Sequence, residues 1–132
     1  DAALASAAEL AQPGSAAEFI PFFRSLELLT QDWKNRLCAP APSDWDSRTP
    51  ALARYFVSRY WLQAVSDYDL YSRVKWIAIA CLMLRQLGGD FESTAQLFSK
   101  EIENDADNMD ALLDAAYAHP AFTDAKLLGM LL

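Results

Sequence analysis

The sequence predicts an all-α fold, a compact bundle of about five to seven helices around a central apolar helix over residues 70–87. Three observations support this prediction. Hydrophobic residues make up 53% of the 132 positions, which is enough for a buried core. Apolar positions recur every three or four residues, and no stretch alternates with the period of two that marks a strand. Residue types that favour helix starts and stops separate the periodic stretches.

The central helix is the best-defined element of the prediction. Asp69 can cap its amino terminus, and Gly88-Gly89 can end it. Between them, Trp76–Leu84 is an unbroken run of nine apolar residues. A helix that is apolar all round belongs in an interior, so we expect other helices to enclose this segment on every side.

The flanking helices follow from similar signals. Ser15 can cap a helix whose apolar positions run from Glu18 to Leu37, and Thr49 with Pro50 can start a second long helix. Residues 1–12 are Ala-rich and helix-prone. The remaining helix boundaries are expected at Asp90, His119-Pro120 and Thr123.

The expected organisation is one domain with three parts: amino-terminal helices over 1–38, a Pro-rich loop over 39–50, and the bundle core over 51–132. The loop is the one stretch that resembles a linker, and Trp45 is expected to pin it to the body. The chain starts with Asp1 instead of Met and ends on apolar residues. We therefore expect it to be the carboxyl-terminal piece of a longer protein.

Composition excludes several classes of function. The nine-residue apolar run is far short of the roughly 20 residues that cross a bilayer, so no membrane segment is expected. A net charge of −7 argues against nucleic acid as a partner. Cys38, Cys81 and His119 lack the spacing of a zinc site, and we expect no metal. Reduced thiols in a cytoplasmic protein are the expected state of the two cysteines.

An acidic tract over residues 101–114 is the strongest constellation, although helix capping and solvation account for most of its carboxylates. Glu101 lies at the border of an apolar helical stripe, where a carboxylate should pair with an arginine. A structural ion pair is favoured over a substrate-facing role. The candidate arginines are Arg54, Arg59, Arg73 and Arg85.

Four segments in order resemble the carboxyl-terminal region of the flagellin lysine-N-methylase family. That family has an Arg-Tyr-rich helix, an Asp-x-Asp-Leu turn, an Arg-Val-Lys helix start and a Glu-Ile-Glu-His-x-x-x-Asn segment. The corresponding residues here are Arg54–Tyr60, Asp67–Leu70, Arg73–Lys75 and Glu101–Asn108. Asn104 stands where the family has His. The similarity covers about half of the chain.

The resemblance implies a bacterial parent protein that methylates lysine side chains with S-adenosylmethionine, on flagellin or another lysine-bearing protein. It also implies an iron–sulfur or other metal centre in the family's cysteine-rich amino-terminal region, which this chain lacks. The chain would then bind no cofactor and would not be catalytic alone, and the rest of the parent would be its partner. Glu101, Glu103 and Asn108 become weak catalytic candidates.

Two other functions stay open from the residues alone. One is a non-catalytic helical module for protein interaction or structure, whose apolar carboxyl end and basic middle dock a partner or a second copy. The other is a small-molecule sensor with an aromatic pocket between the second and third helices, which begin near Thr49 and at Leu70. No nucleophile–base pair or glycine-rich phosphate loop favours an enzyme.

Overall fold

The computed structural model describes residues 2–131; Asp1 and Leu132 lie outside the described residues. The α-helices are α1 (Ala2–Leu10), α2 (Ile20–Ser25), α3 (Gln31–Cys38), α4 (Thr49–Asp67), α5 (Leu70–Leu87), α6 (Phe91–Phe98), α7 (Ala106–Ala118) and α8 (Asp124–Leu131). Short 3₁₀ turns precede α2 and α8, and a π-helical turn, Ser99–Glu103, follows α6. With no strand between residues 2 and 131, the all-α prediction is confirmed, although the α-helices number eight.

Helix α5 is the centre of the bundle, with the predicted bounds. The Asp69 side chain accepts a hydrogen bond from the Ser72 backbone N–H at 3.2 Å, and Gly88 ends the helix with a positive φ of 65°. Between these caps, ten of its eighteen residues are buried. Helices α4, α6, α7 and α8 pack around it. Each large apolar side chain buried here stabilises the fold by roughly 1.5–3 kcal/mol.

The expectation that Trp76–Leu84 is enclosed on every side is wrong for part of its surface. Seven of its nine residues are buried, but Ile77 and Ala78 are half-buried. One turn earlier on the same side, Val74 is 56% exposed. The gap between α4 and α8 leaves this side of α5 open.

The predicted helix from Glu18 to Leu37 is broken in the middle. It is divided into a 3₁₀ turn, α2 and α3, with a non-helical loop over residues 26–30. Leu26 is extended, and Thr30 starts α3 by accepting a hydrogen bond from the Trp33 N–H at 3.2 Å. Backbone groups of this loop bind distant side chains instead of continuing a helix. The split accounts for the larger helix number.

The Pro-rich loop is held on the carboxyl-terminal end of α5. The backbone N–H of Ala41 donates to the Leu87 carbonyl, and that of Ser43 donates to the Arg85 carbonyl, both at 3.1 Å. The Arg85 guanidinium lies 4.1 Å from the centre of the Trp45 ring. The loop therefore belongs to the body of the fold, with Trp45 in the anchoring position expected of it.

Candidate functional site

The π-helical turn Ser99–Glu103 carries the residues that the sequence singled out. It directly continues α6, and Glu101, Ile102 and Glu103 are all buried. Asp105 then caps α7 by accepting from the Asn108 N–H at 2.9 Å. Single π-helical turns occur frequently at functional sites, so the contacts of these side chains decide what the site can do.

Glu101 binds a loop instead of an arginine. Its carboxylate is fully buried and accepts three hydrogen bonds, from the Leu29 N–H at 2.8 Å and from the Thr30 N–H and hydroxyl at 2.7 Å each. Among the described residues, it forms no ion pair. These charge-assisted bonds satisfy the carboxylate without a cation, which corrects the expected pairing.

Asn108 holds the same loop from its other end. Its amide oxygen accepts from the Glu27 N–H at 3.2 Å, and its amide nitrogen donates to the carbonyls of Glu27 at 2.8 Å and Glu101 at 2.9 Å. Both amide hydrogens are therefore used, and the side chain is almost wholly buried. Glu101 and Asn108 together fix the loop over residues 26–30 against α7.

Glu103 makes the interhelical ion pair that was expected of Glu101. Its carboxylate lies 3.1 Å from the Arg59 guanidinium and accepts hydrogen bonds from the hydroxyls of Tyr60 and Ser99, both at 2.6 Å. The Glu103 side chain is 2% exposed, whereas that of Arg59 is 40% exposed. The contact therefore joins the π-helical turn to α4 at the surface of the core.

Tyr60 contacts Glu103 and two arginines. The guanidinium groups of Arg59 and Arg73 lie 5.4 Å and 5.9 Å from its ring centre, and Arg73 pairs with Asp67 at 2.9 Å. Beside Glu103 is a polar depression of about 330 Å³. All four segments of the family resemblance contribute a residue to this region, and we call Arg59, Tyr60, Asp67, Arg73 and Glu103 the Tyr60 cluster.

The Tyr60 hydroxyl gives the cluster an alkaline pH dependence. Burial and then the hydrogen bond to Glu103 raise the pKa of Tyr60 well above its ordinary value of 10.0. As the pH rises, the Tyr60 hydroxyl therefore loses its proton at a lower pH in the unfolded chain than in the folded chain. Its contribution to the free energy of unfolding is complete below pH 10 and declines as the pH rises above 10. At pH 11 the loss should be about 1.4 kcal/mol.

Tyr60→Phe tests this pH dependence through urea unfolding at pH 8, pH 10 and pH 11. The free energy of unfolding of the variant should fall less steeply with pH than that of the original chain. Tyr68→Phe is the matched control, because Tyr68 is 94% exposed and its loss should leave the profile unchanged. Parallel profiles for Tyr60→Phe and the original chain would contradict the assignment.

The other two candidate arginines have different environments. Arg85 contacts Trp45 and donates to the Met130 carbonyl at 3.4 Å. Arg54 is exposed on α4, and its side chain has no ion pair or hydrogen bond within residues 2–131. The ion pairs expected of the four arginines are thus made by Arg59 and Arg73.

Two carboxylates of the acidic tract form a close group with Glu27, which lies outside the tract. Oxygen atoms of Glu27, Asp105 and Asp107 lie within 4.8 Å of one another. Asp105 is already engaged as the cap of α7, and exposed acidic groups often approach in this way without an ion. The capping interpretation of the tract accounts for this geometry.

A large apolar surface is the feature that the sequence analysis missed. It consists of Val57, Trp61 and Val65 on α4 with Leu70, Val74 and Ile77 on α5, and we call these residues the apolar face. The α4 members are each about half exposed. Three shallow depressions of about 250, 550 and 580 Å³ adjoin it, and Val74 lines all three.

The sequence contained a signal for this face in the composition of α4. Only Phe56, Tyr60 and Ala64 of its nineteen residues are buried. The other large apolar side chains are spread around the helix instead of forming one stripe. A helix of this type needs contacts on more than one side, and within the described residues α4 packs mainly on α5.

Comparison with known proteins gives no match to a family model, to a curated protein or to a solved structure. The methylase resemblance therefore stays a prediction. Separately, none of the helices within residues 2–131 has the length and apolar character needed to cross a membrane.

Proposed function

We propose that this chain is a non-catalytic helical interaction module that binds another protein through the apolar face. The observation that carries the proposal is the extent of this face. Five of its six side chains are 49–56% exposed, and members from both helices line one shared depression. The largest apolar patch of a monomer is ~300–600 Å² and is often functional.

The residue types on and beside the face also suit protein binding. Trp61 is 52% exposed and Tyr71, next to Leu70, is 46% exposed. Trp and Tyr are enriched among the residues that dominate binding energy in interfaces. Two of the catalytic candidates also favour a binding function over catalysis. The side chains of Glu101 and Asn108 already form hydrogen bonds that hold the loop over residues 26–30.

Photo-crosslinking tests this function. A benzoylphenylalanine at position 61 should form covalent adducts with a protein that mass spectrometry identifies, and Val65→Glu should abolish them because it places a charge within the face. The control position is Asp110, which is exposed on α7 outside the face. Absence of any protein adduct at position 61 would overturn the proposal.

A second proposal follows from the resemblance, and the Tyr60 cluster favours it. The chain would be the helical carboxyl-terminal part of an S-adenosylmethionine-dependent protein lysine N-methylase, with flagellin as one acceptor. The support is spatial: segments that are separate in sequence meet at Tyr60 and Glu103. A cytoplasmic location belongs to this proposal, because Cys38 and Cys81 stay as free thiols there.

The residues of this chain do not fit the cofactors of such an enzyme. The depression beside Glu103 is lined by two arginines, two acids and six neutral residues, and no glycine is among them to receive a nucleotide-like group. Cofactor binding is therefore assigned to the remainder of the parent. Calorimetric titration should detect binding of S-adenosylmethionine by a longer protein with the preceding region and none by this chain. A longer protein that does not bind it would contradict the methylase proposal.

A further inference from the structure

We propose that the partner of the apolar face is a second copy of this chain, with the two α4 helices antiparallel about a twofold axis at Trp61. The inference rests on the interaction function proposed above and is independent of the methylase resemblance. Most homodimers have twofold symmetry, in which the same patch of both copies must be complementary to itself. The order of residues on α4 meets this requirement.

The apolar residues of α4 are symmetric about Trp61. Val57 precedes it by four residues and Val65 follows it by four, so the three lie on one side of the helix. In an antiparallel pair centred on Trp61, each Val57 lies opposite the partner's Val65, and the two Trp61 side chains meet at the axis. Side chains that are half exposed in one copy would then be buried by the other.

The ends of α4 are complementary under the same symmetry. Arg54 lies seven residues before Trp61, is exposed, and has no ion pair among residues 2–131. Tyr68 lies seven residues after Trp61 and is 94% exposed at the carboxyl end of α4. Antiparallel pairing places the Arg54 guanidinium beside the partner's Tyr68, where an aromatic ring and the negative end of a helix dipole both favour a cation.

A dimer interface would use exposed side chains on and beside the apolar face. A standard interface buries about 800 Å² per partner. The half-exposed residues of the apolar face contribute to this area, and the exposed side chains of Arg54, Leu62 and Tyr68 extend it. Pairing of two α4–α5 hairpins gives a four-helix bundle, the arrangement that antiparallel helices joined by short turns commonly adopt.

The net charge of −7 opposes pairing only weakly. Residues 48–87, which contain both hairpin helices, include just two acids, Asp67 and Asp69. Repulsion between the more acidic parts of the two copies acts over longer distances and is screened within ~8 Å at physiological salt. Association should therefore become tighter as salt concentration increases.

Multi-angle light scattering of the full chain tests the inference. At about 100 µM the chain should have twice its mass of 14.7 kDa, and Trp61→Glu should return it to 14.7 kDa. The matched control is Leu4→Glu, because Leu4 is similarly exposed on α1 outside the face, and this variant should remain dimeric. Circular dichroism of each variant verifies that the helices are retained.

Arg54→Glu provides an independent measurement at the rim, where it should weaken dimerisation about tenfold. A strict monomer at 100 µM, or a dimer that survives Trp61→Glu, would overturn the inference. The crosslinking experiment separates the two proposals. An adduct of position 61 with a different protein would end this inference and leave the interaction function in place, whereas no adduct would end both.

Discussion

Glu101→Ala is expected to lower the free energy of unfolding by about 3–5 kcal/mol. The reason is that the carboxylate accepts three hydrogen bonds in a fully buried position. Its removal leaves the partly buried N–H groups of Leu29 and Thr30 without their acceptor, and an unsatisfied donor costs up to ~1–3 kcal/mol. The loop over residues 26–30 would lose one of the two side chains that hold it, and the start of α3 would be destabilised as well.

Urea unfolding monitored by circular dichroism measures this effect. Glu101→Gln should cost about 1–3 kcal/mol, since one oxygen remains as an acceptor while the amide nitrogen opposes the other donors. Glu9→Gln is the control on exposed α1 and should change stability by less than about 0.5 kcal/mol. A Glu101→Ala variant as stable as the control would refute the role given to this carboxylate.

Trp76→Ala should lower the free energy of unfolding by a similar ~3–5 kcal/mol. Trp76 is 1% exposed and packs edge-on against Phe56 at 4.9 Å and Tyr60 at 5.2 Å between ring centres. The ring centre of Phe98 on α6 lies 6.0 Å from that of Trp76. Truncation would open a cavity where α4, α5 and α6 meet, so the packing of all three helices would weaken.

Two further variants test whether the loss of stability comes from the removed side-chain volume. Trp76→Phe should cost less than about half as much, because the buried indole N–H has no hydrogen-bond partner to lose. Trp45→Ala is the control, since Trp45 is 41% exposed and contributes mainly its contact with Arg85, worth ~0.5–1 kcal/mol. Equal losses for Trp76→Ala and Trp45→Ala in urea unfolding would contradict this view of the core.

The boundaries that the sequence predicted correctly are those set by local chemistry. Asp69 and Asp90 cap the helices that follow them, and Gly88 ends α5. At the start of α8, the carbonyl and hydroxyl oxygens of Thr123 accept hydrogen bonds from the backbone N–H groups of Leu127 and Lys126. Each signal involves residues no more than four positions apart, so it can be read without knowledge of the fold.

The helix boundaries that the sequence analysis missed depend on contacts between residues that are far apart in sequence. The break between α2 and α3 exists because Glu101 and Asn108, more than seventy residues away, bind the backbone of residues 27–30. Helical periodicity continues through this stretch, so the sequence analysis predicted one helix from Glu18 to Leu37. A local pattern could not reveal acceptors that the folded chain brings from the π-helical turn and α7.

The candidate residues Glu101, Glu103 and Asn108 lie close together in the fold, but the partner of Glu101 differs from the predicted one. Regular α-helical spacing predicted that Glu101 lies at the border of the core. The π-helical turn changes that spacing, so Glu101 and Glu103 are both buried and it is Glu103 that meets Arg59. The apolar face was missed because the run Trp76–Leu84 was interpreted as wholly enclosed.

The attachment of the Pro-rich loop to α5 has a consequence for how the protein opens. A Cβ atom at Gly88 would lie 1.7 Å from the Ala41 carbonyl oxygen, so the loop backbone passes directly over the helix end. The amides of Ala41 and Ser43 bind carbonyls of the last turn of α5. These amides should therefore exchange their hydrogens together with the central helix, as one cooperative unit, and far more slowly than the irregular backbone around them suggests.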